Sequence, residues 1–517
     1  MKAVDLDKGS IVVLDFGSQY TQLIARRVRS SKVFSVILHN SASIEEIRKY
    51  KPCGIILSGG PASVTLDSSP RLGADIFSLR IPILGICYGM QLISKIKGAQ
   101  VESSDHREYG HTIIEADVGN ELFAGTPEKQ RVWMSHGDRV TTLPEGFNVI
   151  ASSQGSPFAA IHNVSEGIFG LQFHPEVYHT DHGNDILRNF LFGVCDCTPS
   201  WSFESFVENE TDAIKRQVGD GKVLCAVSGG VDSSVMACLV DKAVGNRLCP
   251  VFVDNGLLRE GEVEEVKEIL GTHLSSDLVF IDASDLFLER LAGVGDAESK
   301  RKIIGACFIE VFEEQSKKLG PFGFLAQGTL YPDVIESRST VGPSDKIKSH
   351  HNVGGLPDKL NFDLIEPLAL LFKDEVREVG KYLGLPDRLI KRHPFPGPGL
   401  AVRVPGELRD GDLSLLRKVD RIFIDALRRE DLYDEVWQAF AVILPVKTVG
   451  VMGDERTYQR VVALRAVTSV DGMTADWAQL PFEFLQSVSS EIINKVDGIN
   501  RVVYDISSKP PSTIEWE

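Results

Sequence analysis

The chain has 517 residues, 43% hydrophobic and 25% charged, which fits several globular domains and excludes disordered and fibrous classes. Its formal net charge of −17 argues against a long nucleic-acid backbone as partner, although a local basic pocket for one nucleotide is compatible with it. Eight cysteines are scattered with no CxxC pair, and Cys195 and Cys197 form a lone CxC, so free thiols in a reducing compartment are expected.

The chain opens MKAVDLDKGSIVVLDFG, with acids ahead of a short apolar run, which predicts a strand and not a secretory signal. No run of about 18 uncharged apolar residues occurs, so a cytosolic protein without a membrane span is expected. Strands are predicted at 11–15, 54–57, 81–85 and 167–173, and helices at 19–29 and 90–97, with Gly98 as a stop. The alternation predicts an α/β layer with a largely parallel sheet.

Within it, Gly85-Ile86-Cys87-Tyr88-Gly89 has the G-x-nucleophile-x-G spacing of a strand-to-helix elbow, with sulfur in place of a hydroxyl. A thiol there meets a helix N-terminus, which favours thiolate and offers amides to an oxyanion. GLQFHPEV supplies His174 and Glu176 as base and orienting carboxylate just after a predicted strand. The turn Ser58-Gly59-Gly60-Pro61 offers further bare amides. A lone buried cysteine is usually a small hydrophobe and a lone His-Pro usually a turn; the three features together point to chemistry. These residues, from about 11 to 195, resemble a class I glutamine amidotransferase domain. The resemblance implies Cys87 as the thioester-forming nucleophile, His174 as proton shuttle and Glu176 as its orienter. It further implies that Gly59, Gly60, Tyr88 and Gln91 border the oxyanion or substrate. Ser135, His136 and Asp138 of WMSHGD would hold glutamine, although His136 alone would more often be structural.

The segment CDCTPSWSFE, 195–204, reads as a linker. A second series follows, with strands at 223–227, 251–254, 277–282 and 323–327 and a helix at 233–244. After its first strand comes Ser228-Gly229-Gly230-Val231-Asp232-Ser233-Ser234, a phosphate cradle with hydroxyls and glycines but no lysine. Asp232 would repel a phosphate unless a cation intervened, which points to Mg²⁺. The next strand ends in VDNG, placing Val253, Asp254 and Asn255 at a strand carboxyl end, where such sheets bind ligands. The loop resembles that of ATP pyrophosphatases, which implies a Rossmann-like domain of the adenine nucleotide alpha hydrolase type, ATP as co-substrate and pyrophosphate as leaving group.

A third break, HPFPGPGLAVR at 393–403, interrupts regular structure, and a helix is predicted at 413–429. Domains are therefore expected at 1–198, 199–395 and 396–517, the last a small α+β dimerisation domain. The domain order, QGTLYPDVIES, KSHHNVGGLP, the proline-rich break and the closing KPPSTIEWE resemble the glutamine-hydrolysing GMP synthase family. That implies XMP as acceptor, contacted by Arg301, Lys509, Ile514 and Glu515, and a homodimer. The tail reads equally as a dimer-packing strand. Lys373 and Asp374 start a helix and read either as a solvated face or as part of a lid over ATP. His350-His351 has no carboxylate or cysteine at ligand spacing. Two other classes stay open: a tRNA-modifying enzyme on the same loop, which would bring basic stretches and catalytic cysteines, and a non-catalytic glutamine or nucleotide sensor.

Overall fold

Strands whose residues are apolar on both faces must be covered on both, and the N-terminal sheet shows why those runs fold as they do. The computed structural model describes residues 9–73, 75–338, 362–452, 455–469, 472 and 474–517. The chain divides into two compact units that meet in sequence between Glu210 and Thr211.

In the first unit, strands β1 (Ser10–Asp15), β2 (Ser35–His39), β3 (Pro52–Leu57), β4 (Ile83–Ile86), β5 (Val101–Ala116), β6 (Lys129–Val140), β7 (Asn148–Ser153), β8 (Ala160–Asn163) and β9 (Ile168–Leu171) form one sheet, ordered β2-β1-β3-β4-β9-β8-β7-β5-β6. The first five in that order are parallel and the remaining pairings are antiparallel. The expectation of a largely parallel sheet holds for half of it only. The antiparallel half alternates polar with apolar residues, and along β6 the buried face carries Gln130, Val132, Met134, His136, Asp138 and Val140.

The second unit begins with a five-stranded parallel sheet: β10 (Val223–Val227), β11 (Leu248–Asp254), β12 (Val279–Asp282), β13 (Phe324–Ala326) and β14 (Asp363–Ile365), in the order β12-β11-β10-β13-β14. Order reverses at β10, so the crevice beyond its carboxyl end is a topological switch point. The chain then forms a long antiparallel pair, β15 (Gln438–Met452) with β16 (Glu455–Thr468), joined by the short β17 (Asp476–Trp477) and by β18 (Ile499–Tyr504), which runs parallel to β16. Helices Asp412–Arg429 and Phe482–Lys495 bury Leu416, Phe423, Val488 and Ile492 against one face, onto Ala441, Ile443, Val462 and Leu464. On the other face Phe440, Val442 and Ala463 pack with Ile514 of the tail.

His393, in the proline-rich break, is buried and stacked on Tyr433 at 3.8 Å. Its Nδ1 accepts from the Ala439 amide at 3.2 Å, so Nε2 carries the proton and donates to Tyr433 O at 2.9 Å. Burial, with help from Arg259 and Arg428, lowers its pKa from 6.5 to about 4. The folded state therefore binds fewer protons than the unfolded one between those values, so stability falls as pH drops from 6.5 toward 4. The loss from this residue between pH 7 and pH 5 should be about 2 kcal/mol. Urea midpoints at the two pH values should draw closer together in His393→Gln than in the parent; an unchanged gap would refute the assignment.

Candidate active sites

β4 runs directly into the helix Tyr88–Ile96, and Cys87 at the joint has φ 51° and ψ −104°. A side chain is rarely held at positive φ without a reason, and such strain concentrates where chemistry occurs. The flanking glycines are obligatory: a Cβ on Gly85 would stand 2.7 Å from Gly89 C, and one on Gly89 2.5 Å from Leu57 O. The Cys87 amide donates to Leu171 O at 2.7 Å, tying the elbow to β9.

Around the sulfur the structure gathers Ser135 of β6 and residues of the segment that follows β9. Cys87 Sγ lies 3.6 Å from Ser135 O and 3.8 Å from Gln172 Nε2. His174 hydrogen-bonds the sulfur and, through Nδ1, Glu176 Oε1 at 2.7 Å. Burial alone would lower the His174 pKa, but the charge of Glu176 and the hydrogen bonds to Cys87 and Glu176 hold it well above its ordinary value. Glu176 is fully buried, and among the described residues its Oε2 has no hydrogen-bond partner. The imidazole is thus kept protonated beside the sulfur.

Gly59 belongs to the same space, since a Cβ there would lie 3.0 Å from His174 Cε1 and 3.8 Å from Cys87 Cβ. A Cβ on Gly60 would meet Phe16 O at 2.7 Å, so that glycine serves the turn itself. The Tyr88 side chain is buried and its hydroxyl donates to Pro70 O at 2.5 Å, so the ring is a wall and only the backbone faces the elbow. Gln91 Nε2 donates to Asp138 O at 2.8 Å and to Gln172 Oε1 at 3.3 Å, which leaves the Gln172 amide NH₂ for the sulfur. Gln172 was not singled out in the sequence; its signal is the two-residue spacing from His174. His136 Nδ1 donates to Asp138 O at 3.0 Å. Burial lowers the His136 pKa to about 4 and raises that of Glu108, so their 3.2 Å approach is no ion pair. Asp138 Oδ2 is buried and, among the described residues, has no hydrogen-bond partner.

In the second unit, β10 leads through Ser228–Gly230 into the helix Val231–Val244. Gly229 has φ 77°, and a Cβ on it would lie 2.5 Å from Val266 Cγ2, so no other residue fits. Ser233 Oγ receives the Ser228 amide at 3.2 Å, contacts Ser228 Oγ at 3.0 Å and donates to Gly230 O at 3.1 Å, closing the loop on itself. Ser234 is buried and Val231 nearly so, which makes both structural supports. Asp232 Oδ1 is buried and has no hydrogen-bond partner among the described residues, while Oδ2 lies 3.6 Å from Lys373 Nζ. The loop without a lysine is therefore given one by the helix Lys373–Tyr382, in whose first turn Asp374 also sits.

Arg392, not anticipated from the sequence, donates to Gly229 O at 3.1 Å and pairs with buried Glu262. Val253 is buried at the end of β11; Asp254 Oδ1 accepts from the Gly256 amide at 2.9 Å and Asn255 Oδ1 from the Leu257 amide at 2.9 Å, so both side chains build the turn.

The tail residues are also placed. Glu515 accepts from Arg403 Nη2 at 3.0 Å and Gln438 Nε2 at 2.7 Å, Ile514 is buried in an apolar cluster, and Lys509 Nζ donates to Gly472 O at 2.8 Å. Arg301 is partly exposed, 3.7 Å from Glu298. Its neighbour Lys300 is fully buried and reaches Ala401 O at 3.0 Å, Val404 O at 2.7 Å and Glu517 Oε2 at 2.8 Å, bringing the tail beside Arg301. His350 and His351, with the rest of KSHHNVGGLP, lie outside the described residues.

Comparison with known proteins agrees with this geometry. Residues 12–194 match the family model described as glutamine amidotransferase class-I, and residues 425–516 the one described as GMP synthase C terminal domain. A glutamine-hydrolysing GMP synthase of Aquifex aeolicus is 56% identical over 515 residues, covering 99% of this chain and 100% of that one. Those of Aliarcobacter butzleri (56%) and Staphylococcus carnosus (54%) align over 507 residues, 98% of this chain, covering 99% and 98% of their own lengths.

Proposed function

The chain belongs to the glutamine-hydrolysing GMP synthase family, and from that premise we propose how its two sites share the reaction. It is a carbon–nitrogen ligase of purine nucleotide biosynthesis: glutamine is hydrolysed to glutamate and ammonia, and ATP adenylates XMP so that ammonia can replace the activated oxygen, giving GMP, AMP and pyrophosphate. The tRNA-modifying alternative is not favoured, since the relatives align along nearly the whole chain.

In our reading the Cys87 thiolate attacks the side-chain amide carbon of glutamine. His174 gives its proton to the departing ammonia, then takes one from the water that hydrolyses the thioester. Amides of the elbow and of the Gly59-Gly60 turn receive the oxyanion. Asp138, with its unpartnered buried oxygen, and Ser135 and His136 beside it are the residues we assign to holding glutamine. The observation that carries the reading is the chain of contacts Glu176–His174–Cys87 on a strained elbow.

The Ser228–Ser234 loop holds the β- and γ-phosphates as they leave, with Val253 and Asp254 at the nucleotide's side of the sheet. Lys373 and Asp374 close over them. Arg301 and the tail residues Lys509, Ile514 and Glu515 are assigned to XMP. Asp232 fits Mg²⁺: its buried Oδ1 is orphaned, and a single carboxylate plus substrate phosphates is the usual way that ion is held. When bound there the ion would offset phosphate charge. No described group of three acidic, histidine or cysteine residues could hold a metal alone.

We further assign domains 1–198, 199–395 and 396–517, a homodimer formed through the last, and a cytosolic site of action. Support for the last is that no described helix is long and apolar enough to cross a membrane and that all eight cysteines are free. Product analysis with xanthosine, inosine and uridine monophosphates tests the reading. GMP, AMP and pyrophosphate should form in equal amounts with XMP alone; ADP would contradict the loop assignment.

A further inference from the structure

The two cysteines of the CxC do not stand apart from the fold. Cys53, at the start of β3, places its sulfur 2.7 Å from Cys197 Sγ, across 144 residues of sequence. A disulfide needs about 2.03–2.05 Å, so closing the gap takes a movement of roughly 0.7 Å. Cys195 is the third member of the cluster: it hydrogen-bonds Cys197, and its sulfur lies 2.4 Å from where a Gly54 Cβ would stand, so Gly54 makes room for it.

The backbone on both sides is fixed. The amides of Cys195 and Cys197 donate to Phe190 O and Leu191 O, each at 2.9 Å, and those of Ser200 and Trp201 to Lys32 O at 2.8 Å. Cys53 is the bulged residue between the Ser10–Pro52 and Ile11–Gly54 pairs that hold β3 to β1, and its thiol also reaches Ser10 O at 3.2 Å. Cys53 is half-buried, whereas Cys195 and Cys197 are buried, so a small reagent reaches Cys53 first.

We propose that Cys53 and Cys197 form a reversible disulfide when the protein meets a low-molecular-weight disulfide oxidant, fastening the chain's exit from the first sheet onto β3, with Cys195 left as a free thiol. The Cys53 sulfur, losing its proton, attacks the oxidant and releases one thiol as a mixed disulfide forms. The Cys197 sulfur, losing its proton, then displaces the second thiol. Two protein thiols are oxidised, one reagent disulfide is reduced to two thiols, and the two protons end on those. The reaction is slow at neutral pH, because the hydrogen bond with Cys195 and burial push the Cys197 thiol up to about 12 and Cys53 is raised likewise by its bond to Cys197.

The full-length protein would be incubated with oxidised glutathione at pH 8, alkylated, digested without reduction and mapped by mass spectrometry. A linked peptide pair holding Cys53 and Cys197 is expected, with the denatured thiol count falling from eight by two and returning after dithiothreitol. The thermal midpoint should rise by about 5–10 °C on oxidation. Cys195→Ser should keep the link and Cys53→Ser should lose it; the map of the unaltered chain decides the matter even if a variant misfolds. A Cys195–Cys197 link, glutathione stably retained on Cys53, no link at saturation, co-purified zinc protecting the three thiols, or a link that leaves the midpoint unmoved would each overturn the proposal.

Discussion

Replacing Cys87 by alanine should lower glutamine-dependent synthesis by about 10⁴-fold or more while ammonium-driven synthesis stays within about twofold. The size follows from covalent catalysis: without sulfur no thioester forms, and the oxyanion donors and His174 act on a substrate that only water can attack. The selectivity follows from the fold. The elbow is held by the close approach of Gly85 to Gly89 and of Gly89 to Leu57, and by its amide to Leu171, contacts a methyl side chain leaves intact. The Ser228–Ser234 loop lies in the other compact unit, on a different sheet. Initial rates with glutamine and with an ammonium salt, at saturating ATP and XMP, give the answer. Equal loss with both nitrogen sources would mean that Cys87 supports the structure and not the nitrogen-releasing step.

What the sequence made legible is what short-range geometry decides. Cys87 and its glycines lie within five residues, His174 and Glu176 two apart beside a strand, and the phosphate loop joins one strand to one helix. The cues are therefore local, and the chain folds each of them as a unit. The antiparallel half of the first sheet was missed because its strands mix polar and apolar residues with a period that only burial makes plain, as along β6. Gln172, Arg392, Lys300 and Arg403 were missed for another reason. Each is a polar or cationic side chain whose partners sit far along the chain: Gln91 for Gln172, Gly229 for Arg392, Ala401 and Glu517 for Lys300, Glu515 for Arg403. Nothing in a one-dimensional pattern separates a buried lysine from a solvated one; that Lys300 is wholly buried with three oxygen partners emerges only from packing.

Asp232→Asn should reduce synthesis by about 10²–10³-fold with either nitrogen source, the reverse of the Cys87 pattern. Asp232 stands in the first turn of the helix Val231–Val244, where a carboxylate is comfortable alone but repels an arriving triphosphate. Lys373, 3.6 Å from Oδ2, offsets part of that charge; the orphaned Oδ1 is left for a divalent cation. Asparagine keeps the shape and an oxygen but not the charge. Two opposite changes in nucleotide binding follow, and calorimetry with ATP can separate them without turnover. In EDTA the variant should bind ATP as tightly as the parent or more so, because a repulsion has gone. With Mg²⁺ present the parent should gain about tenfold or more in affinity and the variant little, since each lost ionic contact of this kind costs about 1.4 kcal/mol or more. Weaker binding by the variant in EDTA would show that the carboxylate serves the loop and not the cation, and the role given to Asp232 would fall.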